Sequence, residues 1–367
     1  MMRLRALGVT TLVTAAALVL AACAAPSVMA PNTTVQASAP AVTREPAPTP
    51  PTDPKPAIVF PLTGLDATAA SAAVLKQPVL SVKIENTEAA RPQTNLEYAD
   101  VVMEENVEYG ISRLIALFQS NYPKQVGPIR SMRPMDRNII GQFGGPLIFS
   151  GAQQRFIDQA AASGTVLITQ DIGSGGFFRT SDKPPPHNLH GYLASFKKQS
   201  KGAVAPPTQW AFAYPETGAS ATLAGKPVKT IDLRFSPYAH PHWKWSADRN
   251  LWLRYEGDSP HKTASGKQLT ATNVVILYVT VRMTGETPAG VRPHGISVPE
   301  TLVAGKKGKG FVATGGKYIP VTWSKKSQFK PFVVVDVNGD AVALAPGQSW
   351  WELVPTNGEF STKVTFS

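Results

Sequence analysis

The only cysteine of this 367-residue chain is Cys23, so no intramolecular disulfide can form. The fold must therefore be stabilised by burying apolar side chains in a core rather than by covalent cross-links. A single thiol also leaves no partner for a CxxC redox pair and too few sulfur ligands for a cysteine-bound zinc ion. Those classes of chemistry are excluded.

The N-terminus has the order of a secretory signal. Arg3 and Arg5 precede a mostly apolar run over residues 7–22 that is short for a membrane span. The run ends in the letters LAAC at Cys23, which resembles the bacterial lipobox, where the peptide is cut before a diacylated cysteine. We therefore predict that residues 1–22 are a lipoprotein signal peptide and that Cys23 carries the lipid. A retained membrane helix is the alternative.

Residues 23–57 are rich in Ala, Pro, Thr and Ser and have almost no large apolar side chains. Such a segment cannot bury enough surface to offset its ordering entropy, so we predict a disordered tether. Two acyl chains on Cys23 would anchor it firmly. The predicted location is extracytoplasmic, with the protein lipid-anchored to the cell membrane.

The formal net charge of +11 is concentrated in the second half of the chain. Lys and Arg number 13 against 12 acidic residues over residues 60–200, but 19 against 11 over residues 201–367. A basic region near a membrane attracts anionic headgroups or wall polymers, although a basic surface also serves solubility. Export makes nucleic acid an unexpected partner.

Two domains are predicted after the tether, at residues 58–200 and 201–367. In the first, β-branched segments alternate with helical patterns. We predict strands at 78–84, 100–103, 111–119, 146–150 and 165–169, and helices at 134–143, 153–162 and 189–198. A helix at 111–119 stays open as an alternative. The second holds many short strands typical of a barrel or sandwich. The predicted fold class is α+β, a mixed α/β N-terminal domain followed by a basic β-rich C-terminal domain.

Glu104, Glu105 and Glu108 form an acidic stretch, and Arg113 lies five residues beyond it. If the chain is extended there, Glu104 and Glu108 share one face, as a carboxylate pair that flanks a substrate or cation does. A solvated acidic turn explains the same residues.

Arg130 and Arg133 flank Ser131 just before a predicted helix. Two guanidinium groups, a hydroxyl and the free amides of a helix N-terminus are groups that bind an anion. The alternative is that the arginines pair internally with the glutamates.

Three prolines precede His187 and Asn188. Asn188 is a suitable N-cap for the helix predicted at 189–198, and His187 could transfer protons at the rim of a site. A structural hydrogen bond is the simpler role for a lone histidine. The glycine-rich residues 171–176 suit a loop over a site but lack the spacing of a phosphate loop.

His240 and His242 share a strand face, and His261 follows later. A metal site needs a further ligand at a defined offset, which the sequence does not show, so we predict no metal and no cofactor. Trp243 and Trp245 are expected to pack in the core. A GxSxG elbow and an HExxH motif are both missing from the sequence.

An ordered set of short motifs resembles the YerB-like lipoproteins, a bacterial family of unknown function. The motifs are PLTG at 61–64, EN at 85–86, ARPQ at 90–93, ADV at 99–101, EYGISR at 108–113, FQS at 118–120, GPIRS at 127–131, RP at 133–134 and PHN at 186–188. TW at 322–323 and PGQSW at 346–350 resemble the family's second domain. Glu105, Asn106 and Tyr109 depart from the pattern, where smaller and less acidic residues are expected.

The resemblance implies a lipid-anchored, two-domain protein without an assigned reaction, and it supplies no catalytic residue. The candidate ligand-binding residues rest on polarity and clustering, and they are Asn86, Arg91, Glu104, Glu108, Arg113, Arg130, Ser131, Arg133, His187 and Asn188. We predict that the acidic, arginine and histidine motifs converge on one pocket.

Two classes of function follow. The first is an envelope protein that binds an anionic wall polymer, a lipid ligand or a partner protein. The second is an enzyme acting on envelope glycan or phosphodiester, with Glu104 or Glu108 and His187 as acid and base and with Arg130 and Arg133 on the anion. Binding is favoured because no complete set of acid, base and nucleophile is present.

Overall fold

The structure, a computed structural model, describes residues 55–285, 297–358 and 361–367. All of these belong to one compact unit that spans residues 51–367. The predicted signal peptide, Cys23 and most of the predicted tether lie outside the described residues.

Short strands dominate the described part of the chain. In chain order they are β1 (Leu80–Glu85), β2 (Val101–Asn106), β3 (Ser112–Phe118), β4 (Leu147–Phe149), β5 (Leu167–Thr169), β6 (Phe177–Arg179), β7 (Leu189–Gly191), β8 (Ala211–Phe212), β9 (Lys226–Pro227), β10 (Thr230–Asp232), β11 (Pro241–Ser246), β12 (Leu251–Glu256), β13 (Ser259–Pro260), β14 (Thr270–Ala271), β15 (Asn273–Met283), β16 (Pro299–Leu302), β17 (Lys306–Thr314), β18 (Lys317–Lys325), β19 (Phe332–Val335), β20 (Ala343–Leu344), β21 (Ser349–Pro355) and β22 (Thr365–Phe366).

The helices are few and short. They are α1 (Ala72–Leu75), α2 (Asp136–Ile140), α3 (Gln154–Ala162), α4 (Leu193–Lys198) and α5 (Ser220–Ala224), with 3-10 turns at Glu88–Ala90, Leu96–Tyr98, Glu108–Gly110, Gly141–Phe143, Gln170–Ile172 and Glu216–Gly218. The α+β class is confirmed, with strands predominating. In the part of the chain that the structure describes, no helix is long and apolar enough to cross a membrane.

Twelve strands form a central sheet. Its order is β19-β18-β17-β15-β21-β2-β3-β1-β4-β5, with β16 paired to β15 and β9 paired to β18. Strand β21 runs parallel to both of its neighbours, β2 and β15. Strands from both sides of residue 200 therefore belong to one sheet, and the predicted domain boundary near that residue stays a prediction.

The two faces of the central sheet are covered by different layers. Met103 packs in one cluster with Ile139 of α2, and we call this side the helix face. Val102, the neighbour of Met103, packs in a second cluster with Trp243 of β11, and we call this side the stacked face. The alternation follows from the two-residue period of a strand. The covering layer on the stacked face is a six-stranded sheet of order β13-β12-β11-β10-β22, with β14 attached to β12.

Several predicted elements are confirmed. Strands β2 and β3 form the predicted antiparallel pair, so residues 111–119 are not a helix. The helix predicted at 134–143 is α2 followed by a 3-10 turn. The many strands predicted after residue 200 are present, but they do not close into a barrel, because they divide between the central and the six-stranded sheet.

The predicted role of Asn188 as a helix cap is wrong. The next residues form strand β7, which pairs with β6, and α4 begins only after Tyr192. Asn188 is buried, donates to the Thr180 carbonyl over 2.7 Å and accepts from Arg179 over 2.8 Å. It thus braces the segment that carries His187.

Candidate functional site

Charged side chains line up across three adjacent strands. Glu85 of β1 is paired in register with Arg113 of β3, and Arg113 is paired with Glu105 of β2. These three lie on the helix face, whereas Glu104 lies on the stacked face. The ends of β1 and β2 therefore carry one polar cluster on each side of the sheet.

A buried lysine begins the helix-face cluster. Lys83 Nζ lies 2.8 Å from Asp136 Oδ1 of α2 and also donates to Glu105, and none of the three side chains is exposed. Burial raises the pKa of Glu105 well above its ordinary value, the Asp136 charge raises it further, and Lys83 opposes both. One ammonium group thus joins two carboxylates and fastens α2 to the sheet.

Arg133 and Glu108 form a bidentate ion pair. Arg133 Nε lies 2.5 Å from Glu108 Oε1, and Nη2 lies 2.6 Å from Oε2. Glu108 begins a 3-10 turn in which Tyr109 adopts a left-handed φ of 64°. The Arg133 backbone N–H donates to Asp136 over 2.8 Å. Both carboxylate oxygens of Glu108 are therefore engaged inside the protein.

Arg130 and His187 meet at Glu85. Glu85 Oε1 lies 3.0 Å from His187 Nδ1, 3.1 Å from Thr87 Oγ1 and 3.4 Å from Arg130 Nε. The Glu85 side chain is only 3% exposed, but Arg130 and His187 are 28% and 24% exposed. This part of the helix-face cluster therefore reaches solvent.

Arg113 lies in the same cluster but is buried. Its Nη1 donates to the backbone carbonyl of Ser131 over 3.1 Å. Burial, followed by the charge of Arg133, lowers the pKa of Arg113 to about 9 against the opposing effect of Glu108. Arg113 is therefore inaccessible from the surface, unlike the partly exposed Arg130 and His187.

Arg254 of β12 is the centre of the stacked-face cluster. Its guanidinium donates to Glu104 of β2 and, over 3.0 Å, to Glu352 of β21, and none of these three side chains is exposed. Glu256 Oε2 lies 3.4 Å from Arg254 Nη2. The guanidinium carbon is 4.3 Å from the ring centre of Trp350, a cation–π contact.

One guanidinium cannot neutralise three carboxylates. Burial raises the pKa of Glu104 to about 7, which Arg254 opposes and Glu352 reinforces. Burial also raises the pKa of Glu256 against the effect of Arg254. Burial therefore favours the protonated form of the Glu104 and Glu256 carboxyl groups.

A chain of side-chain hydrogen bonds connects Arg254 to Ser112 of strand β3. Arg254 Nε donates to His261 Nδ1 over 3.2 Å, which leaves His261 Nε2 to donate to Gln93 Oε1 over 2.8 Å. Gln93 Nε2 in turn donates to Asn86 Oδ1 over 3.1 Å, and Asn86 Nδ2 donates to Ser112 Oγ over 2.9 Å. Burial lowers the pKa of His261 well below its ordinary value, so this histidine is neutral.

A groove of about 990 Å³ opens over this chain. One wall comes from residues 87–92 and the other from residues 237–266. Its polar lining includes Thr87, Glu88, Arg91, His240, Glu256, His261 and Lys262. Lys183 supports the first wall, because its Nζ donates to the carbonyls of Ala90 and Pro92 over 2.7 and 2.8 Å.

Arg91 lines the groove and has a guanidinium nitrogen without a hydrogen-bond acceptor. Its Nη1 lies 3.4 Å from Glu256 Oε2, within ion-pair distance, but this atom is buried and has no hydrogen-bond acceptor. Glu256 already accepts from the His240 backbone N–H over 2.8 Å.

The predicted site residues divide between the two faces of the sheet. Glu108, Arg113, Arg130, Ser131, Arg133 and His187 are together on the helix face. Asn86 donates to Glu104 over 3.3 Å on the stacked face, where both are buried, and Arg91 lines the groove. The predicted pairing of Glu104 with Glu108 is wrong. Strand β2 ends at Asn106, so strand parity does not extend to Glu108, and each glutamate binds a different arginine.

Sequence reasoning did not select the residues that organise both clusters, namely Lys83, Glu85, Arg254, Glu256 and Glu352, and it considered His261 only as a metal ligand. The available signal was a charged residue inside an apolar strand, as in LSVKIE of β1 and LWLRYE of β12. Such a residue requires a buried partner.

The histidines considered as metal ligands have other partners. His240 Nε2 lies 2.9 Å from Asp232, His242 stacks on Tyr255, and His261 binds Arg254. Over residues 55–285, 297–358 and 361–367, no group of three His, Cys, Asp or Glu side chains is placed to hold a metal ion.

This chain belongs to the family described as protein of unknown function DUF3048. The N-terminal domain of the family matches residues 62–205, and its C-terminal domain matches residues 231–351. The groove is thus lined by residues from both matched segments.

One relative of this chain is YerB of Bacillus subtilis, which bears the name "Putative lipoprotein YerB". It is 31% identical to this chain over 144 residues, a match that covers 38% of this chain and 42% of YerB. The crystal structure of YerB has a TM-score of 0.69 and 21% identity, and it covers 84% of this chain and 99% of the solved chain. The fold is therefore the YerB fold.

Proposed function

We propose that this chain is a lipid-anchored, extracytoplasmic envelope protein that binds an anionic ligand in the groove. The lipobox-like sequence at Cys23 and the name of the YerB relative support the anchor. Candidate ligands are a wall polymer, a lipid headgroup and an acidic segment of a partner protein. Their shared chemistry is a phosphate or carboxylate group.

Arg91 carries this proposal. It lines the groove, its one carboxylate neighbour is already bound by Arg254, and its Nη1 has no acceptor. A guanidinium binds phosphate or carboxylate through two parallel hydrogen bonds, so Arg91 suits an anionic ligand. Lys262, on the opposite wall, adds a second positive charge.

The walls of the groove are held in place before any ligand arrives. Lys183 fixes the carbonyls on both sides of Arg91, and the hydrogen-bonded chain from Asn86 to His261 fixes the base. A site that is already ordered loses little entropy on binding. Large pockets between two segments of a fold are also frequent ligand sites.

An enzyme acting on envelope glycan or phosphodiester is the alternative. In this alternative, Glu104 or Glu108 acts together with His187 as acid and base. Glu104 is fully buried on Arg254, and Glu108 is engaged by Arg133, so neither faces a substrate. This geometry favours binding.

The test is the affinity of the purified protein for poly(glycerol phosphate) and for soluble phosphoglycerol headgroup. Arg91→Ala should weaken binding at least about tenfold, because a charge-assisted hydrogen bond contributes about 1.5–3 kcal/mol. Arg249→Ala, at an exposed position outside the groove, is the matched control. Equal affinity of Arg91→Ala and the unchanged protein would reject the proposal, and release of phosphate from the polymer would favour the enzyme.

A further inference from the structure

The lining of the groove carries charges of both signs. Arg91 and Glu88 lie on the first wall, and Lys262 and Glu256 lie on the second. The Glu256 side chain is only 8% exposed and contacts Arg254. Glu88 is exposed and belongs to no ion pair in the described part of the chain. A ligand made of anionic groups alone is repelled by Glu88, so the groove suits a ligand that also carries hydrogen-bond donors.

An exposed aromatic ring stands on the second wall. Tyr238 lines the groove and is 75% exposed. Ser236 Oγ accepts from the backbone N–H groups of Tyr238 and Ala239 over 2.9 and 3.1 Å. The same hydroxyl donates to the carbonyl of Gly110, which precedes Ile111 of the groove lining. The ring is therefore open to solvent, but the turn that carries it is fixed to the neighbouring loop.

An open aromatic face beside a polar groove suits a sugar ring. The C–H face of a pyranose packs on an aromatic ring, and the hydroxyl groups at its edge donate and accept hydrogen bonds. The Glu88 carboxylate can accept from such hydroxyls, and Arg91 and Lys262 then remain for an acidic group. A glycerol phosphate headgroup and an acidic peptide chain offer no ring of this kind and leave the exposed tyrosine without a partner.

We propose that the ligand of the groove is an acidic glycan, with a sugar ring on Tyr238, its hydroxyl groups at Glu88 and its phosphate or carboxylate group on Arg91. This inference rests on the proposed function, because it takes the groove as the binding site and Arg91 as the residue that binds the anion. It selects one class among the candidate ligands, a wall polymer that contains sugar rings.

The experiment measures the affinity of the purified protein for three soluble polymers. They are poly(glycerol phosphate), the same polymer carrying glucosyl substituents, and dextran, a neutral glucose polymer. We expect the glucosylated polymer to bind at least about fivefold more tightly than the plain one, because its ring gains an apolar contact. Tyr238→Ala should remove this difference at an unchanged melting temperature, and Tyr238→Phe should keep it. Dextran should bind most weakly, because it has no acidic group.

Glu88→Ala should also narrow the difference between the two phosphate polymers, because it removes an acceptor for the hydroxyl groups and a charge that repels the plain polymer. Phe329→Ala, at a 55% exposed ring outside the groove lining, is the matched control and should change neither affinity. Equal affinities for the two phosphate polymers, both lowered by Arg91→Ala, would overturn this inference and leave the proposed function standing. If Arg91→Ala weakened neither polymer, the proposed function would be rejected and this inference with it.

Discussion

The guanidinium of Arg254 donates a hydrogen bond to Glu104, a residue 150 positions earlier, and neither side chain is exposed. The contact joins the N-terminal family segment to the C-terminal one at the base of the groove. Buried ion pairs of this kind are costly to break, because the remaining partner keeps an uncompensated charge.

We therefore expect Arg254→Met to lower the free energy of unfolding by about 3–5 kcal/mol, as measured in urea. The substitution leaves Glu104 and Glu352 without their shared cation. Adding Glu104→Gln and Glu352→Gln to it should recover part of the loss. Arg249→Met, on the surface, should change little, and a similarly small effect of Arg254→Met would contradict the role given to this ion pair.

The raised pKa of Glu104 predicts a pH dependence of stability. Its folded-state pKa of about 7 lies above its ordinary value of 4.5, so between these values the folded protein holds a proton that the unfolded chain has released. The stabilisation from this group is complete below the ordinary pKa and is lost as the pH rises through 7.

Unfolding at a series of pH values measures this directly. Glu104→Gln should flatten the decline in the free energy of unfolding between pH 4.5 and about pH 7. Asp158→Asn, at an exposed position on α3, should leave the slope as it is. A slope unchanged by Glu104→Gln would show that other groups cause the decline.

Arg133 and Arg130 offer a matched pair of substitutions. Arg133→Ala leaves the buried Glu108 carboxylate unpaired and should cost about 3–5 kcal/mol of stability. Arg130 is 28% exposed and 3.4 Å from its partner, so Arg130→Ala should cost less than about 1 kcal/mol. Chemical denaturation of both variants tests the order, and equal losses would contradict it.

The lipobox-like sequence predicts that Cys23→Ser abolishes acylation. The variant should leave the membrane fraction after a high-salt wash without detergent, because the wash also removes electrostatic contacts of the basic residues in the second half of the chain. Ser27→Ala, close in sequence, should stay with the membranes. Retention of Cys23→Ser after the wash would favour the membrane-helix alternative.

The parts of the fold that sequence predicts well are those with local signals. The β2–β3 pair follows from two apolar segments with a turn between them, and α3 follows from its amphipathic pattern. The prediction of a helix cap at Asn188 is wrong because strand β7 forms there, through pairing with β6 and with Val126. No local sequence pattern reveals this pairing.

The residues of the candidate site were predicted only in part, because local patterns do not reveal contacts between distant segments of the chain. Arg130 and His187 stand in conspicuous motifs, and they do meet, but at Glu85, which lies in the EN motif and was not chosen as a candidate site residue. Arg254 stands alone in a strand, and its partners Glu104 and Glu352 are 150 and 98 residues away. Only the stacking of two sheets brings such residues together.

The position of β21 between β2 and β15 predicts an order of folding if the chain is exported N-terminus first, as the proposed signal peptide implies. Strands β2 and β15 emerge earlier, and each exposes an unpaired edge until residues 349–355 arrive to fill the gap. Glu352 arrives with that strand and completes the partners of Arg254. We therefore expect one insertion step, in which residues 349–355 enter between β2 and β15, to close the sheet and to complete the base of the groove together.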